Sequence, residues 1–209
     1  MPNSLLSNFL PSKDDKITCH FQDPLAVKML SERFSLLLRQ LNPNLVRQVV
    51  ILGIGTDRST GDCLGPLVGT KLNEFRPKGF SVYGTLDEPV HASNMVMKIA
   101  GIKEKHPNAF VVAVDASLGR AANVGKITLA PGALKPGTGV NKELPHVGEM
   151  HYAGIINVGG HMEYFVLQNT RLSLVIKVAE KISFSIFRGF EHALKNSDHL
   201  HDVSPGQSL

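Results

Sequence analysis

Hydrophobic positions along the chain change period in a regular order, and that order predicts alternating helices and strands. Residues 25–42, LAVKMLSERFSLLLRQLN, place apolar side chains three and four apart, as in a helix with one buried stripe. VRQVVILGIG, residues 46–55, is nearly continuous in valine, leucine and isoleucine, the pattern of a strand covered on both faces. LGPLVGTKLNEF, residues 64–75, returns to the helical period, so a strand, a loop and a helix follow one another. GFSVYGTLDEP predicts a second strand and a turn. HASNMVMKIAGIKEKH, residues 91–106, predicts a further helix, although Gly101 disfavours it. NAFVVAVDASLG reads as a third strand ending at Asp115. KITLAPG and AGIINVGG predict two more strands around the proline- and glycine-rich stretch 131–151, and residues 163–195 predict one long or two short helices. The alternation predicts an α/β protein, a three-layer α/β/α sandwich with a mostly parallel central sheet. Residues 1–24 read as a mobile N-terminal arm, 25–195 as a single α/β domain and 196–209 as a mobile tail.

Composition narrows this picture without changing it. A chain of 209 residues suits one domain with a substantial core, and 43% hydrophobic content with no tryptophan makes aliphatic packing its main source. The excess of 22 Lys and Arg over 18 Asp and Glu is spread along the chain, so no direct contact with nucleic acid is expected. Cys19 and Cys63 fit a reduced, intracellular protein better than a disulfide. No apolar stretch approaches the roughly 20 residues of a membrane span. The opening MPNSLLSNFLPSKDD lacks a basic start followed by an apolar run, which points to the cytoplasm rather than export.

Candidate chemistry starts at GTDRSTGDCLGP, residues 55–66, where an aspartate sits in a glycine-rich loop between two elements that should be buried. Loops that follow parallel strands gather at the carboxyl edge of the sheet. Asp62 follows one such strand and Asp115 ends another, so both are expected in one cleft although 53 residues separate them. Paired carboxylates can exchange a proton with water and a leaving group, with one apparent pKa raised by repulsion and burial. Peptide, phosphate and sugar chemistry all remain open to a bare pair. Each aspartate also has a structural reading, Asp62 as a helix cap and Asp115 as the organiser of the turn ASLG. His91 with Asp62 and Asp115 is a candidate set for a divalent transition metal, and His146, His151 and His161 are weaker ligand candidates. Arg58 stands where a dinucleotide fingerprint requires its third glycine, so nucleotide binding is disfavoured and Arg58 reads as a rim residue. Cys63 reads as a small buried hydrophobe before it reads as a nucleophile. Ser59, Thr60 and Ser117 read as turn or cap residues. The stretch PGALKPGTGVNKEL is either a substrate-facing wall or an ordered strand connection.

Taken in order, these motifs resemble the sporulation proteins related to germination protease, often described as the YyaC family. STGDCLGP resembles that family's T-P-D-A-L-G-P element, and VVAVDASLG the strand that leads to its second aspartate. KPGTGVNKEL resembles its proline- and glycine-rich loop, and GIINVGG the strand after it. The correspondence covers roughly residues 46–162, and its joint order is more specific than any single glycine pair. A weaker similarity extends to hydrogenase maturation endopeptidases. The resemblance implies a peptidase-like domain with Asp62 and Asp115 catalytic, acting on small acid-soluble spore proteins in the forespore or spore interior. It implies no resident cofactor; nickel, by the weaker similarity, would use His91 with the two aspartates. A noncatalytic interaction protein that keeps the cleft is the alternative, with a nickel-dependent maturation peptidase behind it.

Overall fold

The computed structural model describes residues 15–136 and 144–198. Its elements run β1 (Ile17–His20), α1 (Ala26–Leu41), β2 (Val49–Gly53), α2 (Leu64–Glu74), β3 (Phe80–Tyr83) and α3 (Met95–Lys105). They continue with β4 (Phe110–Gly119), β5 (Lys126–Pro131), β6 (Met150–Val158), α4 (Glu163–Gln168) and α5 (Leu172–Asp198). One sheet holds all six strands in the order β1-β5-β6-β4-β2-β3. The pairs β3/β2, β2/β4 and β4/β6 are parallel, while β5 and then β1 add antiparallel. The mixed, mostly parallel α/β architecture expected from the alternating pattern is present.

Strand periodicity sorts the core into two layers, because successive side chains point to opposite faces. Val49 and Ile51 of β2 and Phe110, Val112 and Val114 of β4 pack with α1, α2 and α5 through Leu30, Phe34, Leu64, Val68 and Ile182. Val50, Leu52, Ile54 and Ala113 face the other way, against Met95 and Ile102 of α3 and against Val90, Leu134 and Val147. Each fully buried aliphatic side chain contributes about 1.5–3 kcal/mol, which explains why every residue of β2 is apolar or glycine. Tyr152 is buried in the first layer; its ring lies 6.2 Å from that of Phe34 and its hydroxyl accepts a 3.0 Å bond from Ser185 Oγ.

Helix α2 lies unusually close to the sheet. A Cβ at Gly65 would overlap the Ile54 backbone and stand 2.8 Å from Val114 O, and one at Gly53 would overlap Gly65 O. The glycines let two backbones touch, which seats the start of α2, and the loop before it, directly over β2 and β4. At the opposite, amino-terminal edge Arg47 closes the sheet. Its guanidinium donates to Asn108 O at 2.9 Å, to Ala109 O at 2.8 Å and to Glu149, whose other oxygen accepts Val111 N–H at 2.8 Å.

Four boundaries differ from the sequence expectation. The stretch 1–24, read as a mobile arm, contains β1, whose alternating ITCH is too short and polar to stand out; residues 1–14 lie outside the described part. β1 is held by its partner, including a 2.9 Å bond between Thr18 and Thr128 hydroxyls. The helix expected from His91 starts at Met95, because Asn94 Oδ1 accepts His91 N–H at 2.9 Å and makes a turn of residues 91–94. β4 does not end at Asp115 but continues to Gly119, paired with β6. α5 runs to Asp198, three residues into the expected tail, whose residues 199–209 are outside the described part.

Candidate functional site

The unequal lengths of adjacent strands create an opening. β2 pairs with β4 only as far as Gly53 opposite Val114, whereas β4 stays paired with β6 through Gly119. Beyond Val114 the flank of β4 on the β2 side is left uncovered. Two backbone bonds then stitch three segments at this carboxyl edge: Ile54 N–H donates to Val114 O and Gly55 N–H to Val90 O, each at 2.8 Å. Residues 54–62, 90–93 and 114–118 therefore meet in one place.

The loop between β2 and α2 is folded back on itself. Gly55 has φ +134°, and any side chain there would overlap Asp62 O, while Thr56 N–H donates to that same oxygen at 3.2 Å. Asp62 is thus returned beside the end of β2. Gly61 N–H donates to Leu167 O at 2.8 Å, which ties the loop to α4. α4 is tied in turn to β6, since Asn157 Nδ2 donates to Val166 O at 3.2 Å and to Thr170 Oγ1 at 3.1 Å.

These segments enclose a cavity of about 210 Å³. Asp62, Asp115, His91 and Arg58 line it as titratable or charged groups, with Ser59, Ser93 and Ser117 among the polar ones. Leu118, Leu144, Tyr164 and Leu167 supply apolar walls. Both sequence-predicted aspartates and the candidate histidine are in one cleft, as expected.

Their environments differ. Asp115 is buried, 7% exposed, and its Oδ1 accepts Ala116 N–H at 2.8 Å, which fixes the carboxylate on the strand. Asp62 is partly buried, and burial pushes its pKa above the ordinary carboxylate value, opposed by the Thr56 N–H and by the charge of His91. His91 Nδ1 accepts Ser93 N–H at 3.3 Å, which orients the ring at the rim of the cleft. The Cys63 thiol is buried, donates to Thr60 O at 2.9 Å and is pushed up to about 11, first by burial, so it is a poor nucleophile. Ser59 is 8% exposed, and its Oγ has no hydrogen-bond partner among the described residues. The turn role expected of Ser59 rests instead on its carbonyl, which accepts Cys63 N–H at 3.0 Å.

Other candidates separate from the cleft. His151 Nδ1 bonds Gly132 O at 2.8 Å, and His146 lies in a groove with Arg47 at the opposite edge of the sheet. His161 sits between β6 and α4. Among the described residues no three side chains of His, Cys, Asp and Glu are arranged to hold a metal ion, and Asp62, Asp115 and His91 do not form such a group. The donor set implied for nickel does not fit this arrangement, and no step below passes through a metal.

Tyr164, Leu167 and Leu118 are absent from the sequence candidates. Their one signal is an aromatic pair, Tyr164 and Phe165, left exposed shortly after Gly159–Gly160, with His161, Met162 and Glu163 between. Of the proline- and glycine-rich stretch, residues 137–143 are outside the described part, but its return is anchored by paired bonds between Leu134 and Val147 at 2.9 and 3.0 Å. Leu144 reaches the cleft, so the end of this stretch is a wall of the cavity.

Comparison with known proteins adds family membership. The chain is 57% identical over 137 residues, 66% of its length, to "Uncharacterized protein YyaC" of Bacillus subtilis (strain 168), of which 67% is covered. The crystal structure of a NiFe hydrogenase maturation protease, HycI, from Thermococcus kodakarensis KOD1 is 22% identical with a TM-score of 0.47. That match covers 69% of this chain and 93% of the other. The family described as "Protein of unknown function (DUF1256)" matches residues 18–185, four-fifths of the sequence, and the chain belongs to it.

Proposed function

We propose that the cleft is the active site of an endopeptidase in which Asp62 and Asp115 share the proton transfers of peptide hydrolysis. The observation that carries this reading is the meeting of both carboxylates on one cavity, in different electrostatic settings. A carboxyl whose pKa is raised by burial holds its proton to higher pH than an ordinary carboxylate does, which suits Asp62 to the acid role. Asp115, oriented by the Ala116 N–H, takes the base role. Water bound between them loses a proton to Asp115 as its oxygen attacks the scissile carbonyl carbon. The tetrahedral intermediate collapses as Asp62 gives its proton to the departing nitrogen, and the C–N bond breaks. Transfer of the proton from Asp115 back to Asp62 through solvent restores the pair. Leu118, Leu144, Tyr164 and Leu167 seat the flanking side chains of an extended substrate segment.

The motif resemblance supports the same chemistry and names the substrate class, small acid-soluble spore proteins, with the enzyme acting in the forespore or spore. The test is mass spectrometry of such intact proteins after incubation with wild type, Asp62→Asn and Asp115→Asn, each checked for folding by circular dichroism. Discrete internal cuts with wild type and a loss of at least about 100-fold in each variant are expected. Stable binding without cleavage by the folded wild type would replace this reading with that of a partner-holding cleft.

A further inference from the structure

The sheet has an open border at β3. Its strand partner is β2, in parallel register from Val49–Phe80 to Leu52–Tyr83, and β3 is last in the strand order. Among the described residues, no loop or helix donates or accepts a backbone hydrogen bond at Phe80–Tyr83. Strands alternate their N–H and C=O groups between the two sides, so the outer side of β3 presents peptide groups for another strand.

A groove of about 480 Å³ runs along this border, lined by Asn73, Arg76, Phe80, Ser81, Tyr83 and Lys105 together with Pro77 and Val82. Arg76 follows α2 and Lys105 ends α3, so two elements bring positive charge to the groove. Neither side chain has an ion pair among the described residues, and no carboxylate lines the groove; Glu74 and Glu104 are neighbours in sequence that stay outside it. Arg76 also has φ +49°, just past the end of a helix, a position that glycine fills with less strain.

We infer that the open edge of β3 takes an extended acidic segment of a protein partner as an added strand, with Arg76 and Lys105 holding its carboxylates. Charge complementarity and backbone chemistry select this occupant together. A second copy of the chain paired edge to edge would set Arg76, Lys78 and Lys105 against the same cations. A nucleic acid would satisfy the cations but offers no alternating peptide groups to the strand. The site lies on the far side of β3 from β2 and is independent of the reaction in the cleft.

The test uses a fluorescently labelled octapeptide of alternating glutamate and valine, a lysine–valine counterpart, and the acidic peptide N-methylated at alternate residues. Anisotropy is expected to show the acidic peptide binding at least about tenfold more tightly than either control. The double variant Arg76→Glu, Lys105→Glu should lose about tenfold or more. Arg76→Gly relieves the backbone strain while removing the charge, so its weaker binding cannot be assigned to unfolding. Hydrogen exchange should show new protection at residues 80–83 when the acidic peptide is bound. Equal binding of acidic and basic peptides, unchanged affinity in the variants, absence of binding, or protection confined to other elements would overturn the inference. So would oligothymidylate binding that needs Arg76 and Lys105 without protecting β3, or a dimer in sedimentation that the charge reversal abolishes.

Discussion

Asp62 carries the electrostatic burden of the cleft. Burial raises its pKa above 3.8, so the folded chain holds this proton more tightly than the unfolded chain does. Stability is therefore lost as pH rises from the ordinary carboxylate range through the raised folded value, and the full penalty is present above it. Asp62→Asn removes the charge and with it this penalty, while the backbone carbonyl of residue 62 still accepts the Thr56 N–H. Thermal melts across pH should show the variant gaining on wild type from acid toward neutral pH; a gap independent of pH, or a less stable variant at neutrality, would contradict this account of the site. Asp62 and Asp115 were legible in the sequence because an acidic residue beside a buried strand is conspicuous. The orphan Oγ of Ser59 was not, since a missing hydrogen-bond partner is a property of packing and leaves no sequence signal.

At the scale of elements, the cleft depends on how closely α2 approaches β2. Gly65→Ala inserts a methyl group into the Ile54 backbone, so the start of α2 must shift. The cost should exceed the gain in helix propensity, with a net loss of about 1–3 kcal/mol in denaturant unfolding. Gly101→Ala is the matched control on α3, where nothing lies within 4 Å of the added methyl and a gain of about 1 kcal/mol is expected. If both substitutions have the same sign, the close contact of α2 is not what seats the loop. Periodicity located α1, α2 and β2 because each has a long apolar stripe or run. It missed β1 and misjudged β4 because a pairing partner, rather than hydrophobicity, defines both. Polar Asp115 and Ser117 stay in a strand because β6 continues beside them.

Across the whole molecule, the two edges of the sheet are built for different tasks. The amino edge is clamped by Arg47, which binds two carbonyls and Glu149, whereas the carboxyl edge is left open by the early end of β2. Glu149→Gln should lower stability by about 1 kcal/mol, a modest loss because Glu149 is 39% exposed and the pair is screened. Substrate cleavage by Glu149→Gln should proceed at the wild-type rate; a large fall would mean that the clamp shapes the cleft. The alternating pattern predicted the layered sheet, and the rule that loops gather at the carboxyl edge predicted that Asp62 and Asp115 line one cleft. Apart from Leu118 of β4, the apolar walls came from α4 and from the return of the proline- and glycine-rich stretch, whose positions depend on Gly61, Asn157 and Leu134 finding distant partners.

The central claim is that Asp62 and Asp115 act as one proton-transfer unit, and a double-mutant cycle on the cleavage rate tests it most directly. Residues that work as a unit are strongly non-additive. The account predicts that Asp62→Asn and Asp115→Asn each lose at least about 100-fold and that the double variant is no slower than the worse single one. Full activity in either single variant, or losses that multiply as for independent sites, would contradict it.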